Sequence, residues 1–171
     1  ARMERLLDAL IEQARGSARA ARETPGCDAA GAVEAVARLV ARRASERGLH
    51  LAVELAPALP PPAIGGDALR QVLLNLVLNA IDASPAGGDV RLTGRALGPA
   101  LELTVEDRGP GVPPTLRRRV FEPWFSTRDE RAGGLGLSIA RRLVEDAGGT
   151  IAIGDRPDGG ARVRVRLPVQ G

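Results

Sequence analysis

Apolar residues recur along this chain at two spacings, and the switches between them mark out its elements. Met3, Leu6, Leu7, Leu10, Ile11 and Ala14 fall at helical spacing with charges between them, close to the seam of a coiled coil. An opening helix that wants a partner surface is therefore expected. Gly16 to Asp28, broken by Thr24-Pro25-Gly26, reads as a linker. Asp28 is placed to cap a helix that buries Val33, Val36, Leu39 and Val40 and fades at Gly48. Leu49, Leu51, Val53 and Leu55 then alternate as a strand does, and the prolines between Pro57 and Pro62 end it.

Asp67 stands where an N-cap is expected for a long apolar helix closing near Ser84-Pro85. Its core positions are Leu69, Val72, Leu73, Leu76, Val77, Ala80 and Ile81. Val90 and Leu92 mark one strand, and Leu101, Leu103 and Val105 the next. From Gly109 to Gly134 the chain is rich in Gly, Pro and Arg with little periodicity, and loops of that length are usually functional or mobile. A helix over 135–147 stops at Gly148-Gly149, and strands over 150–153 and 161–167 close the chain. Strands joined by short turns predict an α+β fold, a largely antiparallel two-layer sandwich.

Composition narrows the partners. The chain's 171 residues suffice for one domain with a full core and a short appendage. With no Tyr, two Phe and one Trp, Leu, Val, Ile and Ala must fill that core. All 24 basic residues are Arg, a bias in keeping with GC-rich bacterial coding. The net charge of only +3, with acids interspersed, does not make a nucleic-acid case. Arg117–Arg119 and the alternating Arg162, Arg164 and Arg166 are its sole support, and the last three fit the solvent face of a strand. Single Cys27 excludes an internal disulfide framework and suits a reducing cytoplasm. No run of eighteen apolar residues is present, so no membrane contact is expected from this stretch.

Three segments carry candidate chemistry. On the helix from Asp67, the residues Asn75, Asn79 and Asp82 share one face at i, i+4 and i+7. Such a stripe is either a satisfied or exposed face, or the wall of a polar pocket, because unpartnered buried amides are costly. Asn side-chain oxygens suit a hard cation such as Mg²⁺. Asp107-Arg108-Gly109-Pro110-Gly111 follows a strand directly, where a carboxylate can accept from an adenine amino group. Alone, that string is a weak signal, and a plain turn is the better reading of it. Gly133-Gly134-Leu135-Gly136-Leu137 opens a helix, leaving backbone N–H groups for phosphate oxygens. Between them lies Phe121-Glu122-Pro123-Trp124-Phe125-Ser126-Thr127-Arg128, a hydrophobic pin or a lid hinge.

In this order and spacing, the motifs QVLLNLVLNAIDAS, DRGPG, FEPWFST and GGLGL resemble the ATP-binding catalytic domain of sensor histidine kinases, over about residues 28–168. That family shares its fold with type II topoisomerases, Hsp90 chaperones and MutL proteins. The resemblance implies a Bergerat-type sandwich with a mobile ATP lid. It matches Asn79 to the Mg²⁺ ligand and Asn75 to a polar neighbour facing the phosphates. Asp82 is taken with them as a pocket residue. Asp107 matches the adenine-reading carboxylate, with Gly109 and Gly111 on the adenine side. Gly134, Leu135, Gly136 and Leu137 match the phosphate-side loop, and Arg128 a basic position able to reach a phosphate. In the ATP-hydrolysing relatives a Glu stands where this chain has Asn75, and an amide cannot act as a general base. That departure favours transfer over hydrolysis. Arg108 and Ala161 depart from the usual small polar residue and Thr.

Histidine kinases phosphorylate a His on a helical hairpin. The single His50 lies in a strand segment and does not match that motif. Residues 1–23 resemble the second hairpin helix, and 24–171 the catalytic domain, so the acceptor histidine is expected to precede Ala1. The expected partners are ATP or ADP, the hairpin of the same protein and a downstream response regulator, with no nucleic acid. A topoisomerase- or chaperone-type ATPase, an anti-sigma-like protein serine kinase and a non-catalytic binding module are the competing readings.

Overall fold

The computed structural model describes residues 27–125 and 134–170. The opening helix, most of the linker, Arg128 and Gly133 lie outside these residues. Among the described residues, three helices cover one face of a five-stranded sheet of order β1-β2-β3-β5-β4. In chain order the elements are α1 (Ala29–Glu46), β1 (His50–Leu55), α2 (Gly66–Ala83), β2 (Asp89–Leu97), β3 (Ala100–Glu106), α3 (Gly136–Asp146), β4 (Thr150–Asp155) and β5 (Ala161–Pro168). Short 3₁₀ turns occupy Pro114–Leu116 and Arg119–Phe121. The β1–β2 pair is parallel, as its connection through α2 requires, and the other three pairs are antiparallel.

The apolar periodicity of α2 is wide because the helix lies between α1 and α3 and over the sheet. All seven expected core residues, Leu69 through Ile81, are buried. They meet Val90, Leu92, Leu101, Leu103, Val105, Val163, Val165 and Leu167 from the inward face of β2, β3 and β5. Burying a side chain of this size contributes about 1.5–3 kcal/mol, so this interface dominates the stability of the fold.

Three local expectations need correction. Asp67 does not cap α2: Gly65 is the N-cap, without a side-chain bond. Asp67 instead stands in the first turn, where its charge suits the helix dipole, and pairs with Arg70. Leu39 is not core but 68% exposed, because α1 turns Val36 and Val40 inward. Val53 is also exposed, on edge strand β1. Asp28 does cap α1, accepting from the Gly31 amide at 3.0 Å.

On the outward face, the register sets acids opposite arginines. Glu102 pairs with Arg95 on β2 and Arg166 on β5, and Glu106 with Arg91 and Arg162. Glu102 accepts from Arg95 Nη2 at 2.7 Å and from Arg166 Nε at 2.8 Å. Arg162 donates to Glu106 in the same way. Cross-strand pairs of opposite charge stabilise a sheet modestly, and here they define its solvent side. Arg162 and Arg166 are accordingly spoken for by acids of β3.

Candidate functional site

The middle and the end of α2 each touch one glycine segment. Asn75 lies against the first turn of α3: a Cβ added to Gly136 would stand 3.7–3.9 Å from the Asn75 side chain. At the other end, a Cβ on Gly109 would meet the Ala83 carbonyl at 2.8 Å. Only glycine therefore lets the loop after β3 approach α2 so closely. Eight residues of helix separate Asn75 from Ala83, about 12 Å along the axis. Asn79 falls midway between the two glycine segments, one turn beyond Asn75.

Asp107 directly follows β3, the strand that positions it. It is buried, and its Oδ1 accepts from the Gly109 amide at 2.8 Å and the Ala161 amide at 3.1 Å. Its own amide donates to the Ala161 carbonyl at 3.0 Å. Ala161, which lacks the hydroxyl usual at this position, thus still serves the carboxylate through its backbone. The Arg108 amide donates to Ser84 Oγ at 3.2 Å, tying this loop to the end of α2. The Arg108 side chain turns away, to Asp89 and to the Asp158 carbonyl. Gly111 packs beside the Gly160 carbonyl.

On the α3 side the N-cap is Leu135, and no side chain among the described residues caps the helix. Backbone N–H groups of an uncapped first turn are anion donors by default. Gly134 has φ of +53°, and a Cβ there would come within 2.8 Å of the Trp124 carbonyl carbon. The Trp124 amide donates to the Gly134 carbonyl at 3.1 Å, so the FEPWF segment and the second glycine segment are joined directly. Phe121 is buried, whereas Trp124 is exposed at a φ of +65°.

The Asn75 Nδ2 is buried and has no hydrogen-bond partner among the described residues. A buried amide without a partner costs about 1–3 kcal/mol, so a site that keeps one normally fills it with a ligand. Asp82, the third member of the stripe, is not brought to the cleft. Its carboxylate accepts from Arg43 Nη2 at 2.8 and 3.1 Å, with Arg47 at 3.8 Å, and so ties α2 to α1. Helical angle alone cannot reveal this, because seven residues nearly complete two turns. Sequence reasoning also missed the groups that hold Asp107 from behind. They are Ser84, Asp89, Arg156 and Gly160. The Gly159-Gly160 pair signalled a turn, but nothing signalled that the turn's Arg156 is only 4% exposed. His50 is exposed at the start of β1, where it stands in register with Asp89 and its amide donates to the Gly88 carbonyl at 3.0 Å.

Residues 65–171 match the family described as histidine kinase-, DNA gyrase B- and HSP90-like ATPases. The sensor histidine kinase ZraS of Escherichia coli O157:H7 is 36% identical over 132 residues, covering 77% of this chain and 29% of that protein. The histidine protein kinase DivJ of Caulobacter vibrioides is 37% identical over 150 residues, covering 83% and 24%. Among solved structures, full-length ShkA in complex with AMPPNP has a TM-score of 0.77 at 34% identity, covering 86% of this chain and 31% of that one. The mycobacterial sensor histidine kinase MprB has a TM-score of 0.72 at 30% identity, covering 82% and 94%. The chain belongs to the histidine kinase-, DNA gyrase B- and HSP90-like ATPase family. Within that family it is a catalytic ATP-binding domain of the sensor histidine kinase type. It spans under a third of the length of the curated relatives it matches.

Proposed function

We propose that this chain holds Mg-ATP and presents its γ-phosphate to a histidine on a helical hairpin of the same protein. One observation carries the reading: the buried Asn75 Nδ2, partnerless among the described residues, beside the uncapped N-terminus of α3. Asp107 would read the adenine amino group, with Gly109 and Gly111 shaping the turn under the base. About 12 Å along α2, Gly134, Leu135, Gly136 and Leu137 would offer backbone donors to the phosphates. Asn75 would donate to the same polyphosphate.

Asn79, between the two ends, would be the protein's ligand for Mg²⁺. Among the described residues no group of three or more His, Cys, Asp or Glu could hold a metal alone. A cation here would therefore take further ligands from phosphate oxygens and water, as Mg²⁺ commonly does. Bound there, Mg²⁺ would supply neutralisation of the phosphate charge. Phosphoryl transfer asks little covalent chemistry of the protein, so positioning by these donors is its main task. An amide at position 75 has no basic oxygen to activate water, which supports transfer over hydrolysis. The accepting imidazole would come from the hairpin, whose second helix residues 1–23 resemble.

A response regulator would take the phosphoryl group onward, and the histidine kinase ThkA has been solved with its response regulator TrrA. No helix among the described residues is long and apolar enough to cross a membrane. The site would work where ATP is abundant, in the cytoplasm. The deciding experiment supplies labelled ATP and Mg²⁺ to this chain with and without a separate histidine-bearing hairpin fragment. Label should reach the hairpin histidine and not this chain. ATP consumed at the same rate either way, with no label transferred, would overturn the reading, as would label on His50.

A further inference from the structure

Behind Asp107 lies a cluster of charges that the nucleotide reading does not use. Asp89, the first residue of β2, receives two guanidinium groups, one on each carboxylate oxygen. Arg108 Nε donates to Oδ1 and Arg156 Nη2 to Oδ2, both at 2.8 Å. The Arg156 side chain is 3% exposed, and its Nε lies 3.9 Å from Glu106 Oε2. Its Nη1 reaches the Asp107 carbonyl at 3.5 Å. Arg108 Nη1 also donates to the Asp158 carbonyl at 3.0 Å. Three segments remote in sequence are thereby fastened together: the start of β2, the loop after β3 and the turn between β4 and β5.

That turn presses on Asp107 from the far side. The Arg156 amide donates to the Gly160 carbonyl at 3.1 Å, closing the turn. Gly160 has φ of +106°, and a Cβ there would fall 2.0 Å from the Asp107 carbonyl oxygen. The next residue, Ala161, supplies the amide that holds Asp107 Oδ1. Any shift of the turn therefore moves a hydrogen-bond donor of the carboxylate directly. The two arginines, Arg108 first, also draw the Asp89 carboxyl down to about 2. A buried ion pair is weak ground for stability against apolar groups of the same volume. What this one does fix is the backbone on both sides of Asp107.

We propose that Asp89, Arg156 and Arg108 form a clamp that positions Asp107, and so sets the preference of the site for a purine bearing a 6-amino group. This rests on the adenine-reading role given to Asp107 above. The three are positioning residues, with no contact to the nucleotide itself. Arg108 thereby finds a use: it leaves the cleft to close the clamp, and does not reshape the adenine pocket.

The test compares ATP with purine riboside triphosphate, which lacks the 6-amino group, by calorimetric titration of the full chain. The unaltered protein should prefer ATP by at least about tenfold, the worth of one charge-assisted hydrogen bond. Asp89→Asn and Arg156→Gln should reduce that preference to about twofold, through weaker ATP binding, while the analogue binds within about twofold of before. Arg156→Lys should recover part of the preference. Should Arg156→Gln fail to melt cooperatively, Arg108→Gln, altered at a side chain that is 34% exposed, reads the same ratio. Variants that keep the original ratio would overturn the clamp, and so would equal weakening of both nucleotides. An unaltered protein with no preference would remove the Asp107 reading, and the clamp with it.

Discussion

The outward face of the sheet and the cleft along α2 both set polar side chains on apolar elements, and they resolve them in opposite ways. Glu102 is buried yet lies between Arg95 and Arg166 in register, each donating to a separate oxygen. Burial opposes its ionisation, but Arg166 and Arg95 outweigh this and hold its carboxyl below the usual range. Even Arg91 Nε, which has no hydrogen bond among the described residues, lies 3.5 Å from Glu54 Oε1. In the cleft, Asn75 Nδ2 has no such neighbour among the described residues. The difference teaches how to tell architecture from site: architecture satisfies its polar groups within the fold, and a site leaves one for the ligand.

Substitutions should therefore separate binding from stability. The largest effect is expected from Asn79→Ala and Asp107→Ala, each weakening Mg²⁺-dependent ATP binding about a hundredfold by calorimetry. Unchanged titrations in both would end the assignment of the cleft. Asn75→Ala should weaken ATP about tenfold yet cause no loss of unfolding free energy, because it removes a buried Nδ2 that has no partner among the described residues. A large loss of stability would show that Asn75 is architectural after all.

Glu102→Gln inverts that pattern. Its arginines are half exposed and can be rehydrated, so denaturant unfolding should show a loss of about 1 kcal/mol with ATP affinity unaltered. Asp89 adds a pH signature. Its folded pKa lies near 2 against an ordinary 3.8, so its contribution is present above the ordinary value and lost as pH falls through the folded one. The stability gap between the unaltered protein and Asp89→Asn should narrow between those two values. The smallest effect belongs to Leu39→Ala, under about 0.5 kcal/mol, since that side chain is largely in water.

Periodicity alone made the elements and most of the core legible. Every expected buried position of α2 is buried, and the order of helices and strands stands, because burial against a sheet demands a wide apolar face. Leu39 misled because a helix of three apolar rows can turn either flank inward, and only packing chooses. Asp67 misled because a capping residue and a first-turn acid look alike one or two positions apart. For the cleft, Asn75, Asp107 and the glycine segments were legible as motifs, since a polar stripe on an apolar helix and paired glycines are local facts. Asp82 read as their equal until Arg43, 39 residues away, claimed its carboxylate.

The sequence by itself determined the elements, the α+β class and the motifs, because each depends on residues within a turn or two of one another. Tertiary structure alone decided which polar groups are satisfied. Arg156 sits in a stretch that reads as an exposed turn, yet it is buried against Asp89, 67 residues distant. Hydrogen bonds and ion pairs saturate over a few ångströms of space, and the chain's order says nothing about which distant carboxylate will fill that space.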